Sequence, residues 1–120
     1  MSLTMEEVFE KMKKEDVVLL NVLPEKDFQK LRIQGSQNQP LTLDYSDFMQ
    51  QIERKHGKKK LFITYGDYLS RADGASAAQA MRTLGFKAEN YPGGIQAWFE
   101  AGLPIEGTQA GALSSQPAKG

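Results

Sequence analysis

The segment that decides the fold reads Ile63-Thr64-Tyr65-Gly66-Asp67-Tyr68-Leu69-Ser70-Arg71 and leads into an alanine-rich stretch. The apolar run from Leu61 to Tyr65 is typical of a buried strand, and the stretch from Gly74 to Leu84 is typical of a helix. A strand that ends in a short loop before a helix gathers backbone N–H groups around one point, which favours an anion. We therefore predict an anion-binding loop, made of Gly66, Asp67, Tyr68, Leu69, Ser70 and Arg71.

Predicted strands and helices alternate along the rest of the chain. Thr4 and Glu7 have the spacing of a capping box, which marks the start of a first helix. The predicted strands are Val17 to Val22, Leu61 to Tyr65 and Lys87 to Tyr91. The predicted helices are Met5 to Lys14, a short one after Pro24, one capped by Asp44 or Ser46, one from Gly74 to Leu84 capped by Asp73, and a last one before Gly102. The helix capped by Asp44 or Ser46 is predicted to turn Tyr45, Phe48, Met49 and Ile52 inward. This alternation indicates an α/β fold with a parallel sheet covered by helices on both faces.

Composition narrows the class of protein. The chain has 120 residues, which is one domain's length, and it is 40% apolar and 25% charged, as in an ordinary globular protein. Its 15 basic and 15 acidic residues balance, so nothing steers it toward nucleic acid or a membrane. Because neither a signal peptide nor an apolar run of about 20 residues is present, we expect a cytoplasmic location.

The last fourteen residues differ in composition from the rest. Residues 107–120 contain one large apolar side chain, Leu113, and are otherwise small or polar. Such a segment cannot bury enough surface to offset the cost of ordering its backbone, about 1 to 2 kcal/mol per residue. We predict one domain over residues 1–106 and a disordered C-terminal tail over residues 107–120.

Motifs at fixed spacings in the second half of the chain resemble the rhodanese homology domain, the fold of single-domain sulfurtransferases and of related cell-cycle phosphatases. The matching motifs are Tyr65-Gly66, Arg71, Ala77-Ala78, Gly85-Phe86, Gly93-Gly94-Ile95, Trp98 and Gly102-Leu103-Pro104. The resemblance extends from about Val17 to Glu106. It implies a rhodanese-like fold with a small parallel sheet of four or five strands and helices on both faces.

The chemistry of that family is missing from this chain. In the family, a cysteine after the tyrosine takes sulfur from a donor such as thiosulfate and passes it on as a persulfide. Four positions that are normally Asp, Arg, His and Cys are here Asn21, Leu23, Arg32 and Gly66, and the chain has no cysteine at all. Because Gly66 has no side chain that can attack, the resemblance implies a domain inactive in sulfur transfer that serves as an anion-binding, protein-binding or regulatory module.

Other interpretations of the same residues stay open at the sequence level. The chain could be a sulfurtransferase-family enzyme whose sulfur carrier is not visible in the sequence, or a laboratory variant from which the nucleophile was removed. Tyr65 lies six residues before Arg71, the separation of nucleophile and arginine in cysteine-dependent phosphatases, although its hydroxyl is a poor substitute for a thiolate. Arg71 could equally pair with a carboxylate, and Asp67 would repel an anion.

The expected ligands follow from the loop. We predict a small oxyanion such as sulfate, thiosulfate or phosphate, or a protein partner, with no metal site and no cofactor. A second feature is the basic cluster Arg54-Lys55-His56-Gly57-Lys58-Lys59-Lys60, which contains the chain's single histidine. It is typical of a solvated turn, and its alternative role is contact with an acidic partner. The sequence does not reveal the oligomeric state.

Overall fold

The computed structural model describes residues 2–14, 16–42, 44–67 and 71–110. Within these residues the elements in chain order are α1 (Met5–Lys14), β1 (Val17–Asn21), α2 (Glu25–Lys30), β2 (Arg32–Ile33), β3 (Gln37–Asn38), α3 (Tyr45–His56), β4 (Leu61–Tyr65), α4 (Arg71–Thr83), β5 (Lys87–Asn90), α5 (Gly94–Glu100) and β6 (Ile105–Glu106). The predicted α/β fold is therefore confirmed. Among the described residues, no helix has the length and apolar character needed to cross a bilayer.

The central sheet has four parallel strands in the order β3-β1-β4-β5. Strands β1 and β4 occupy the middle, and Asn21 at the end of β1 is in register with Tyr65 at the end of β4. Because all four strands run in the same direction, their carboxyl ends meet at one edge of the sheet, and the loop after β4 leaves from that edge.

Two apolar cores cover the two faces of the sheet. Side chains that alternate along β1 and β4 enter opposite cores, as Phe62 and Ile63 do. The first core contains residues from α3 and α4, and the second contains residues from α1 and α5, including Trp98. Helices therefore lie on both faces, as predicted.

The N-terminal helix begins as its sequence predicts. The backbone N–H of Glu7 donates to Thr4 Oγ1 at 3.1 Å, and the backbone N–H of Thr4 donates to Glu7 Oε1 at 2.8 Å. These two bonds form the predicted capping box and supply acceptors for donors that a helix leaves unpaired at its start. Leu3, which precedes the cap, is buried with Val8 in the second core.

The structure differs from the sequence prediction in several places. Helix α4 begins at Arg71, three residues before the predicted start, so Asp73 lies in its first turn and is not its cap. Strands β2 and β6, which were not predicted, pair antiparallel apart from the main sheet. Tyr45, predicted to face inward, is 38% exposed, and the buried stripe of α3 starts at Phe48.

The first residues of the predicted tail contact the domain. The backbone N–H groups of Thr108 and Gln109 donate to the carbonyl oxygens of Gln29 and Lys30, each at 2.9 Å, and Ala110 is buried. These contacts attach the chain after β6 to the end of α2. Residues 111–120, the remainder of the predicted tail, lie outside the described residues.

Candidate functional site

At the carboxyl edge of the sheet, the Tyr65 hydroxyl is the centre of a buried hydrogen-bond network. It accepts from the Asn21 side-chain amide at 3.0 Å and from the backbone N–H of Ile33 at 3.0 Å. It also lies 2.8 Å from Ser36 Oγ. Asn21 and Tyr65 are both 0% exposed, so this network lies inside the protein at the ends of β1 and β4.

The positions of the hydrogens in this network follow from its partners. Ser36 Oγ donates to the Ile33 carbonyl at 2.7 Å, which uses its only hydrogen. The Tyr65 hydroxyl must therefore donate to Ser36 Oγ, and it needs its own proton to do so. Burial raises the pKa of Tyr65, although its hydrogen bonds with Ser36, Asn21 and Ile33 and the charge of Arg32 act in the opposite direction. Tyr65 is the last residue of β4, as predicted, and its hydroxyl is used in structural bonds, which gives no support to its interpretation as a phosphatase-like nucleophile.

Asn21 stands where the family carries an aspartate, and both ends of its side-chain amide make structural bonds. Its Oδ1 accepts from the backbone N–H of Leu23 at 2.9 Å, while its amide nitrogen binds Tyr65. Asn38 from β3 donates to the Asn21 and Leu23 carbonyl oxygens at 3.2 and 2.9 Å. The turn after β1 is thus fixed by side-chain amides, which carry no charge.

The other two changed positions are also structural. Leu23, at the position of the family arginine, is 5% exposed. Arg32, at the position of the family histidine, donates to the Phe28 carbonyl at 3.2 Å and lies 3.5 Å from Glu106 across the β2–β6 pair. Its guanidinium also lies 4.7 Å from the centre of the Phe28 ring. The bonds found for Arg32 therefore hold α2 and the β2–β6 pair together.

Gly66 is buried against the start of α5. Its carbonyl oxygen accepts from the backbone N–H of Ile95 at 3.0 Å. Gly94 has a φ of +66°, and a Cβ placed on it would lie 2.5 Å from that same oxygen. Only glycine at position 94 permits this approach, so the sequence Gly93-Gly94-Ile95 holds the first residue of the loop in place.

The far side of the loop is anchored through Thr64. Its hydroxyl lies within hydrogen-bond distance of the Gly74 carbonyl at 2.8 Å and of Asn90 Oδ1 at 3.2 Å. Gly74 lies so close to β5 that a Cβ on it would be 2.6 Å from Asn90 Oδ1. Buried Ala77 and Ala78 continue this close packing of α4 on the sheet. Both ends of the predicted loop are therefore attached to rigid elements.

The predicted site itself is described only in part. Gly66 is buried, Asp67 is half-buried, and Arg71 is the first residue of α4. Tyr68, Leu69 and Ser70, as well as the side chain of Arg71, lie outside the described residues. The anion-binding loop over Gly66 to Arg71 therefore stays a prediction. In the part of the chain that the structure describes, no group of three histidine or acidic side chains is placed to hold a metal ion.

Sequence reasoning missed the network around Tyr65. Its members come from residues 21, 33, 36 and 65, and no spacing rule connects them. One signal was available, because Asn21 is the single polar residue in the apolar run after Asp16. A polar side chain in a strand buried on both faces requires a buried partner, and that requirement points to another polar group at the same edge.

Comparisons with known proteins agree with this fold. The rhodanese-like domain of an Anabaena sp. protein, solved by NMR, matches with a TM-score of 0.77 at 20% identity, over 98% of this chain and 84% of that chain. A Bacillus halodurans protein matches with a TM-score of 0.74 at 21% identity, over 92% and 79%. Thiosulfate sulfurtransferase from Pseudomonas aeruginosa matches with a TM-score of 0.74 at 20% identity, over 88% of this chain and 20% of that chain.

The comparison with curated proteins gives no match. The family model of the rhodanese-like domain matches residues 4–101. This match covers most of the chain and includes β1, β4, the loop after β4 and Gly94. The protein therefore belongs to the rhodanese-like domain family, and it contains no cysteine to carry sulfur.

Proposed function

We propose that this rhodanese-like domain does not transfer sulfur and instead binds a small oxyanion, such as sulfate, thiosulfate or phosphate, at residues 66–71 as a recognition or regulatory module. The proposal rests on what the residues at the changed family positions do in this structure. Asn21, Leu23 and Arg32 are committed to bonds or packing within the fold, and Gly66 has no side chain. Sulfur transfer requires a thiolate at the loop, and none exists in the chain.

The architecture around the loop supports anion binding. Helix α4 has 13 residues and starts at Arg71, so the N–H groups of its first turn and its positive dipole end adjoin the loop directly. The loop is held at Gly66 by α5 and behind its far end by the Thr64–Gly74 bond. A loop whose two ends are fixed loses less conformational entropy on binding than a free loop does. The cytoplasmic location expected from the sequence also stays a proposal.

An NMR titration tests the proposal. We expect sulfate, thiosulfate and phosphate, added to the ¹⁵N-labelled protein at constant ionic strength, to shift the amides of residues 66–71 in a saturable way. Arg71→Gln should weaken this binding by about tenfold, the loss of one charge-assisted contact. The control Arg54→Gln removes the same charge from an exposed position of α3 and should leave the affinity unchanged.

Two results would contradict the proposal. One is the absence of saturable shifts at residues 66–71 with all three anions. The other is an equal loss of affinity in Arg71→Gln and Arg54→Gln, because that would show a response to net charge without a defined site.

A further inference from the structure

The opposite edge of the sheet, where the strands begin, carries a basic concavity. It is an open pocket of about 610 Å³, and its lining includes Lys11, Lys59, Lys60 and Lys87. We call it the amino-edge pocket. It is separated from the loop after β4 by the length of that strand, about 13 Å at 3.3 Å per residue.

Strand register brings these residues together. Leu61, the first residue of β4, is in register with Lys87 on one side and with Val17 on the other. The residues that precede β1 and β4, Asp16 and Lys60, therefore lie side by side, and their charged groups are 3.7 Å apart. Residues far apart in the sequence thus meet at one place because the strands are parallel.

Positive charge is in excess among the described residues that line the pocket. Four lysines stand there against two carboxylates, those of Asp16 and Glu89, although the whole chain has no net charge. Asp16 is paired with Lys60. Within the described part of the chain, the exposed ammonium groups of Lys59 and Lys87 have no carboxylate within ion-pair distance. Two unpaired cations beside one concavity repel each other, and a bound anion would relieve that repulsion.

The surroundings of His56 are also positively charged. It ends α3 and its ring contacts Phe62 edge-on, with the ring centres 5.8 Å apart, so it is packed rather than fully solvated. Burial lowers the pKa of His56, and the charges of Lys60 and Lys55 lower it further. The basic cluster predicted as a solvated turn is therefore part of a positively charged surface with defined packing.

A purely structural role explains only part of this charge. Lysines in the last turn of a helix neutralise its negative dipole end, and Lys11 in α1 fits that role. Lys59, Lys60 and Lys87 belong to no helix, since they precede β4 or begin β5. Lys60 is paired with Asp16, which leaves the charges of Lys59 and Lys87 without a structural role among the described residues.

We propose that the amino-edge pocket is a binding site for a small polyvalent phosphate anion of the pyrophosphate or triphosphate class, with Lys59 and Lys87 as its main contacts. The volume is within the range of small-molecule sites. Lysine binds phosphate as a mobile point charge with three donors, and several lysines can distribute themselves over adjacent phosphate groups. The negative charge of Glu89 repels an anion at its own end of the pocket. We therefore expect the anion to lie closer to Lys59.

Titration with inorganic tripolyphosphate tests this site. We expect saturable amide shifts at residues 56–60 and 87–89, and an upward shift of the His56 pKa on saturation, because a nearby anion stabilises the imidazolium. The double substitution Lys59→Gln and Lys87→Gln should weaken binding by about a hundredfold or more, roughly tenfold per lost contact. The double control Lys26→Gln and Lys30→Gln removes the same charge from exposed positions of α2 and should change the affinity less than about twofold.

Three results would overturn the inference. Shifts confined to residues 66–71 would mean that the loop alone binds the anion, which would leave the proposed function intact. Equal losses in the two double variants would mean attraction to net charge only. Tighter binding of a hexaglutamate peptide than of tripolyphosphate would assign the surface to an acidic protein segment.

Discussion

Tyr65→Phe is expected to lower the free energy of unfolding by about 3 kcal/mol, because it leaves buried hydrogen-bond donors without an acceptor at about 1 to 3 kcal/mol each. The ring remains, so its packing in the second core is kept. What is lost is the oxygen that accepts from the Ile33 N–H and the Asn21 amide. Both donors are far from water and have no simple way to recover a partner.

Tyr91→Phe is the matched control, because it makes the same change at a second buried tyrosine. In the described part of the protein the Tyr91 hydroxyl has no hydrogen-bond partner. Burial, with a contribution from Glu6, raises the pKa of Tyr91 to about 12, so its hydroxyl stays protonated. Removal of the Tyr91 hydroxyl should leave the free energy of unfolding unchanged or raise it by about 1 kcal/mol. Urea unfolding of both variants measures the contrast, and equal destabilisation would contradict the assigned role of the Tyr65 network.

Gly94→Ala should destabilise the protein by about 3 kcal/mol or more, from backbone strain and from overpacking together. The new Cβ would lie 2.5 Å from the Gly66 carbonyl oxygen, and backbone must move to relieve it. That movement breaks the bond from the Ile95 N–H and displaces the first residue of the loop. Anion-induced shifts at residues 66–71 should weaken in the same variant.

Gly102→Ala separates strain from close approach. Gly102 also has a positive φ, +78°, but a Cβ there meets nothing within 4 Å. It should cost only the strain of a left-handed alanine, about 1 to 2 kcal/mol. Thermal and urea unfolding of the two variants give the difference. If both variants lost the same stability, the contact between α5 and Gly66 would have no part in holding the loop.

The fold was predictable where one local rule agreed with the hydrophobic pattern. Helix α1 and strand β4 have the predicted bounds, because the first has a capping box and the second is a continuous apolar run. Strands β2 and β6 have two residues each, which is too short for any periodicity to be visible. The start of α4 was placed late because Asp73 fits both a cap and a first turn.

The site was less predictable than the fold. The absence of the family's cysteine could be deduced from Gly66 alone, since the nucleophile is one residue. The Asn21–Tyr65–Ser36 network, which stands where the family has charged residues, could not be deduced from the sequence. It depends on distances between segments that are far apart in the chain. The amino-edge pocket has the same origin, since Lys60 and Lys87 meet only through strand register.

Thiocyanate formation from thiosulfate and cyanide tests the central claim most directly. The purified protein, pretreated with a thiol-blocking reagent, should form no thiocyanate above the blank at any protein concentration. The untreated Gly66→Cys variant should gain little activity, because the family Asp, Arg and His are absent as well. Turnover by the unsubstituted protein that scales with its concentration and survives thiol blocking would contradict the account. It would show a sulfur carrier that this chain does not itself contain.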